Sequence, residues 1–243
     1  MKHIPIRADL IPGSLENAAR EYHSSWSDFS TSEHGTELRF CKAEEQQGLC
    51  AYCECRLTDA DGKLPPGVSH IDHFYQQARF PHLRFVWENM FLSCMHRDSC
   101  GVYKDRQELP SESLLNPHDD HPRSFITFVP VANHHASPYL LEATPLPGLS
   151  PEHRKKAGDT IKALNLNSRR LSRLRYETAL KYRDVIRTLL QLLTPDTDEE
   201  LLAYLMQEAC KLLAEMEQDE FPSALRAYAM SELGALADDG CNV

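Results

Sequence analysis

Residues 70–105 read HIDHFYQQARFPHLRFVWENMFLSCMHRDSCGVYKD. Short apolar runs here carry His70, His73, His82 and His96, an adjacent Asp72 and His73, Asn89, Cys94 and Cys100, and a closing Lys104 and Asp105. An aspartate beside a histidine suits phosphodiester hydrolysis: the carboxylate holds a hard divalent cation and the neutral imidazole takes a proton from the attacking water. Adjacency alone is a weak signal, so the surrounding landmarks decide its meaning. Just upstream, CAYC supplies Cys50 and Cys53, two thiolates on one side of a tight turn. Together with Cys94 and Cys100 they make the four sulfur ligands of a tetrahedral zinc site joining two distant segments. Cys55 is the chief rival to Cys53 as a ligand, while Cys41, Cys210 and Cys241 read as structural or free thiols.

The rest of the chain bounds this reading. At 243 residues it can bury a real core without a disulfide scaffold. The start MKHIPIRADL lacks an apolar run of signal-peptide length, and no stretch reaches the eighteen or so apolar residues of a membrane span. The expectation is a soluble cytoplasmic protein with no membrane partner, in which close cysteines are metal ligands rather than bridges. A net charge of −10 argues against binding nucleic acid by bulk electrostatics, but the average hides a division. Arg154 to Arg187 holds eleven Lys or Arg against three acids, and Pro195 to Glu220 nine acids against Lys211 alone.

The chain divides into four regions. Residues 1–48 read as a short extended start and two helical pieces, 14–24 and 36–47, packing on the metal-rich unit. That small unit is residues 49–110. Residues 111–149 are a polar connector with one strand, 124–131. Residues 150–243 are helical throughout: Ser150 and Pro151 make an N-cap and first turn, and Leu171, Leu174, Thr178, Tyr182, Val185 and Leu189 recur at helical spacing. A basic helix 154–187 and an acidic helix 197–217, opened by a Thr197/Glu200 capping box, precede a last helix at Pro222. Brief loops suggest an antiparallel bundle. The fold class is therefore α+β and mostly helical.

The order CAYC, Asp72–His73, Asn89, Cys94/Cys100, Lys104 resembles the HNH (ββα-metal) endonucleases over roughly 49–109, implying a zinc-stapled hairpin-and-helix unit embedded between N-terminal helices and a C-terminal bundle. More narrowly, CAYCE, HIDHFYQQARFPHLRFVWENMFLSC, LLNPHDDHPRSF and TIKALNLNSRRLSRLR resemble the PtuB-type HNH proteins of Septu and retron anti-phage systems. That resemblance implies a nuclease effector acting on DNA, or RNA, with a PtuA-type ATPase as partner. Where a retron accompanies the system, it further implies a reverse transcriptase and its DNA. It assigns His73 as general base, Asp72 as first ligand of a catalytic Mg²⁺ or Mn²⁺, and Asn89 as the residue that orients base and loop.

Where the family's closing histidine stands, this chain has Gly101. Asp105, one helical turn on, is the preferred substitute because an all-oxygen set suits Mg²⁺; His96 and His70 are the alternatives. Lys104 stands between a phosphate contact and a solvated helix position. Arg169, Arg170 and Arg173 are candidate nucleic-acid contacts weighed against a solvated basic face. His82 reads as a surface residue, Phe80, Phe85 and Trp87 as core, and His134/His135 as an exposed turn. The competing functional reading is a zinc-stapled adaptor whose reactive site has decayed, with Gly101 as its support. A thiol-redox role for CAYC lacks the βαβ context.

Overall fold

The stretch His70–Asp105 folds into a two-stranded hairpin and a short helix. In the computed structural model, which describes residues 1–21, 25–107, 110–132 and 139–237, β1 (Ser69–His73) and β2 (Met90–Cys94) pair antiparallel, Asp72 opposite Phe91 and His73 opposite Met90. A long connection, 74–89, joins them, and α4 (Cys100–Lys104) packs on both strands. Before the hairpin come α1 (Gly13–Arg20), α2 (Trp26–Thr31) and α3 (Glu33–Glu45). After it, α5 (Pro151–Ala163) packs against α4. These elements belong to the first of two compact units, residues 1–126 with 145–166. The second, residues 127–144 with 167–243, contains the paired strands β3 (Ile126–Ala132) and β4 (Tyr139–Pro145) except for their end residues Ile126 and Pro145, then α6 (Arg169–Leu180), α7 (Arg183–Leu192), α8 (Glu199–Met216) and α9 (Pro222–Leu233). The fold is α+β and mostly helical, and no helix among the described residues is long and apolar enough to cross a membrane.

Every residue of β2 is buried because the strand is covered on both faces. On one side Met90 joins Leu15, Ala18, Phe29, Leu38 and Trp87 in a cluster against which Ile71 and Phe85 pack. The N-terminal helices thus close over the hairpin, as apolar burial of a two-stranded sheet requires. Lys42 is fully buried here, its ammonium bonded to Glu45 Oε2 at 2.7 Å and lying 3.6 Å from the centre of the Trp87 ring, whose Nε1–H donates to Glu45 Oε1. Such a pair persists inside a core only because each charge has its counter-charge and its hydrogen bonds. Gln46 performs a similar service at the end of α3. Its amide donates to the Leu49 and Leu92 carbonyls and accepts from Leu92 N–H, tying helix, hairpin and the start of the CAYC turn together.

The C-terminal helices differ from the periodicity reading in their breaks. The span read as one basic helix, 154–187, is three helices. After α5 the chain turns at Asn165, whose φ of 44° is left-handed, and restarts at Ser168, whose side chain caps Leu171 N–H. A second break at Lys181–Tyr182 shifts the helical phase, so Ile186 is buried while Val185 is 49% exposed. The acidic helix starts one residue later than the capping box suggested, with Asp198 accepting from Leu201 N–H at 2.8 Å. Ser150 does cap α5, and Pro222 does open α9. The strand read at 124–131 is β3; its partner β4, with Leu141 and Ala143 buried, went unread. His134, His135 and Cys241 lie outside the described residues, and Cys210 is disulfide-bonded.

Candidate metal centre and reactive histidine

The CAYC turn is built by backbone. An isolated bridge pairs Leu49 with Arg56, Cys50 N–H donates to Cys55 O, Glu54 N–H donates to Cys50 O, and Glu54 takes a left-handed φ of 65° to close the turn. This aims Cys50 and Cys53 at the end of β2, where Cys94 sits, and at the first residue of α4, Cys100, itself left-handed at φ 61°. The four buried sulfurs all lie within 4.8 Å of one another. A tetrahedron of Zn–S bonds of about 2.3 Å has edges of about 3.8 Å, and Cys53 and Cys94 sulfurs already stand 4.0 Å apart. Cys94 N–H points at Cys50 Sγ, 3.4 Å away, a donor that favours a thiolate. Burial, and then Cys50, Cys53 and Cys94, push the Cys100 thiol well above its ordinary range; a bound cation would relieve that cost. The donor set fits a metal such as zinc. Cys55 is buried beside the cluster but is not one of the four.

Asp72 and His73 leave β1 on opposite sides. His73 is 7% exposed, its ring edge-on to Trp26 with centroids 4.5 Å apart. Its Nε2 lies 2.8 Å from Arg84 O, and a carbonyl only accepts, so Nε2 carries the proton. The lone pair is then on Nδ1, where it meets Gln77 Nε2 at 3.1 Å. Burial, opposed by the hydrogen bond to Arg84 O, lowers the imidazole to about 4, so the ring is neutral at pH 7 and can accept a proton. Asn89 holds the connection that delivers Arg84 O: its Oδ1 accepts from Tyr75 N–H at 2.7 Å, and its amide donates to Tyr75 O and Leu83 O at 3.1 and 3.0 Å.

Asp72 faces α4 and is enclosed. Its Oδ2 accepts from Tyr52 O–H and lies 3.4 Å from Lys104 Nζ. Burial raises the Asp72 carboxyl, with Lys104 opposing; Tyr52, buried and beside that carboxylate, is pushed well above the ordinary phenol range and donates its proton. Asp72 approaches Gly101 so closely that a Cβ there would stand 2.5 Å from Oδ1. The absence of a side chain at position 101 is thus the condition for the carboxylate's position. Replacing Gly101 by alanine is expected to force Asp72 aside and cost about 1–3 kcal/mol, read as a lower urea midpoint; an unchanged midpoint would place the carboxylate elsewhere.

The other expected ligands are dispersed. Asp105 is exposed and accepts from Lys104 Nζ at 2.9 Å. His96 is exposed in the turn after β2, beside a cleft lined by Cys55, Arg56, Val68 and Cys94. His70 shares the Asp72 face of β1, and its Nδ1 and Asp72 Oδ1 are buried with no hydrogen-bond partner among the described residues. Apart from the four cysteines, no three His, Cys, Asp or Glu ligand atoms among the described residues converge within 4.8 Å. The side chains expected to hold the catalytic divalent cation therefore do not converge as a three-ligand set among the described residues. Lys104 is neither solvated nor open to a phosphate, being 4% exposed with its ammonium inside the site.

Over 89 residues the chain is 29% identical to the Septu protein PtuB of Bacillus thuringiensis. The match takes in 37% of this chain and 32% of PtuB, so the chain spans about a third of that relative's length. No family model matches. The PtuB-type likeness read from CAYCE and HIDHF is thus supported by alignment over part of the chain.

In the second unit the basic cluster is largely engaged. Arg175 is 1% exposed, its guanidinium 4.8 Å from the Phe128 ring. Arg173 pairs with Glu177, Lys181 with Asp219, and Arg183 and Arg187 with Asp184. Arg169 is exposed and Arg170 half-buried at the start of α6. Sequence reasoning missed Tyr52, Gln77, Trp26 and the Arg84 carbonyl. Of these only Tyr52, inside CAYC, had a position that could have drawn notice.

Proposed function

We propose that this chain is the nuclease component of an anti-phage defence system of the Septu type, an HNH-like phosphodiesterase that acts on nucleic acid alongside a PtuA-type ATPase. The observation that carries the reading is His73: a buried neutral imidazole whose proton is fixed on Nε2 by Arg84 O, leaving Nδ1 as the base, with Asn89 clamping the loop that supplies that carbonyl. This is how a general base is kept in one tautomer and one orientation. The partial identity with PtuB supports the defence assignment, and the four-thiol centre supports a structural zinc. Retron partners, a reverse transcriptase and its DNA, belong to the same resemblance. Arg169, with Arg170 and Arg173 beside it on α6, is the proposed backbone contact. Mg²⁺ or Mn²⁺ is the ion the resemblance calls for, and no step is assigned to it.

Purified protein, with and without the ATPase, is incubated with plasmid, single-stranded DNA and RNA in Mg²⁺, Mn²⁺ or EDTA. Cutting in any arm that depends on His73 supports the nuclease. The adaptor reading is favoured by one observation, the ammonium of Lys104 set against Asp72 and Asp105; absence of cutting in every arm, with binding to the ATPase retained, would establish it instead.

A further inference from the structure

We infer that the Lys104 ammonium is the resident cation of the Asp72–Asp105 site and occupies the place in which a divalent ion would have to sit. The inference concerns the centre proposed above but does not require it to cleave anything.

Lys104 Nζ has three protons and three oxygen neighbours: Asp105 Oδ1 at 2.9 Å, His73 O at 3.1 Å and Asp72 Oδ2 at 3.4 Å. Hydrogen bonds run to Asp105 Oδ1 and His73 O, Asp72 Oδ2 stands at ion-pair distance, and the side chain is 4% exposed. An amine placed among two carboxylates and a carbonyl takes the charge and the contacts that a hard cation with oxygen ligands would take. Two further features keep that arrangement closed. Tyr52 O–H donates to the same Asp72 oxygen, and the Asp72 carboxylate lies in the space that a side chain at position 101 would need. A divalent ion entering between Asp72 and Asp105 would meet a positive charge at contact distance, and repulsion of like charges in a buried site is strong. It would also have to break the hydrogen bond from Lys104 to His73 O, the carbonyl of the proposed base. Lys104 is therefore a positioning residue for the end of β1. The ligand atoms left without a partner are His70 Nδ1 and Asp72 Oδ1, and no third His, Cys, Asp or Glu ligand converges on them among the described residues.

The test reads metal binding, so a failure of nuclease activity does not affect it. Zinc-loaded full-length protein is titrated with Mn²⁺ while free Mn²⁺ is followed by electron paramagnetic resonance. Wild type is expected to show no Mn²⁺ binding that depends on Asp72. Lys104→Ser, which removes the ammonium and leaves room for an ion, is expected to gain a Mn²⁺ site about 100-fold tighter than any residual binding by wild type, and Asp72→Asn in that background to abolish the gain. Stoichiometric binding by wild type that is lost in Asp72→Asn or His70→Ala would overturn the inference. So would a Lys104→Ser protein that keeps its zinc and its circular dichroism yet gains no affinity. Should Lys104→Ser not fold, acetic anhydride labelling of wild type read by peptide mass spectrometry decides: Lys104 stays unlabelled with or without Mn²⁺ if it is the resident cation, and labelling that rises with Mn²⁺ refutes it.

Discussion

Removing zinc from the reduced protein, or replacing Cys94 by serine, is expected to unfold the hairpin and α4 of the first unit. The expected size is large because the ligands are structural joints. Cys50 and Cys53 belong to the turn after α3, Cys94 ends β2, and Cys100 begins α4 in a left-handed conformation. A two-stranded sheet has little independent stability, and a four-thiolate zinc contributes an apparent binding free energy of about 10–16 kcal/mol in small domains, against a whole-domain stability of about 5–15 kcal/mol. Without the ion, four buried thiols remain within 4.8 Å of one another, with the Cys94 N–H toward Cys50 Sγ too weak a donor to replace a cation. Hydrogen exchange should show protection lost through 69–104 on chelation, with zinc content by mass spectrometry falling from one per chain to none. Cys55→Ser is the control. It lies next to the cluster and outside the four, and should keep both zinc and protection. Zinc retained in Cys53→Ser but lost in Cys55→Ser would exchange their roles.

The landmarks legible in the sequence are those whose chemistry is local or whose spacing is fixed by a turn. CAYC specifies a two-thiol turn whatever surrounds it, and Cys94 and Cys100 flank the junction of a strand and a helix, so the four-cysteine cluster that could hold a metal was legible before any fold. Asn89 was placed only by the HNH resemblance, and the structure shows its amide bonding Tyr75 N–H and Tyr75 O in a loop whose own groups have no strand to pair with. His73 was legible as a candidate base, but its partners were not. One is the Arg84 carbonyl, which any residue would provide, and another is Trp26, on a helix far away in sequence. Lys104 shows a different limit. Sequence placed it on a short helix as a phosphate contact or a solvated cation, and burial turned it inward onto Asp72. Gly101 could be read as a missing ligand, yet its positive role, admitting a carboxylate to within van der Waals reach of the backbone, depends on the rotamer of a residue on another element. In the second unit, periodicity found helical segments but not their breaks. Asn165 adopts φ 44°, a conformation asparagine tolerates and no hydrophobic pattern encodes.

Replacing His73 by alanine is expected to reduce any cleavage by about 10²–10⁴-fold while leaving zinc in place. Neither half of that expectation follows from the other. His73 lies opposite Met90, away from the thiols, so its loss does not touch the metal centre. The fall in rate follows from the loss of Nδ1, the one unprotonated nitrogen held in position. A stability measurement separates chemistry from packing. The folded imidazole titrates at about 4, below the unfolded value near 6.5. Between those values the unfolded chain binds a proton that the folded chain does not, so stability is full above about pH 6.5, falls as pH drops towards 4, and loses nothing further from this group below that. The difference corresponds to roughly 3 kcal/mol. His73→Gln, whose amide N–H can still donate to Arg84 O, should lack this acid-side decline, and urea midpoints of the two proteins should converge as pH falls from 7 to 4. If the decline persists unchanged in His73→Gln, some other group titrates and His73 is not the buried neutral imidazole the mechanism needs. Undiminished cleavage by a folded, zinc-bearing His73→Ala protein would remove it as the base.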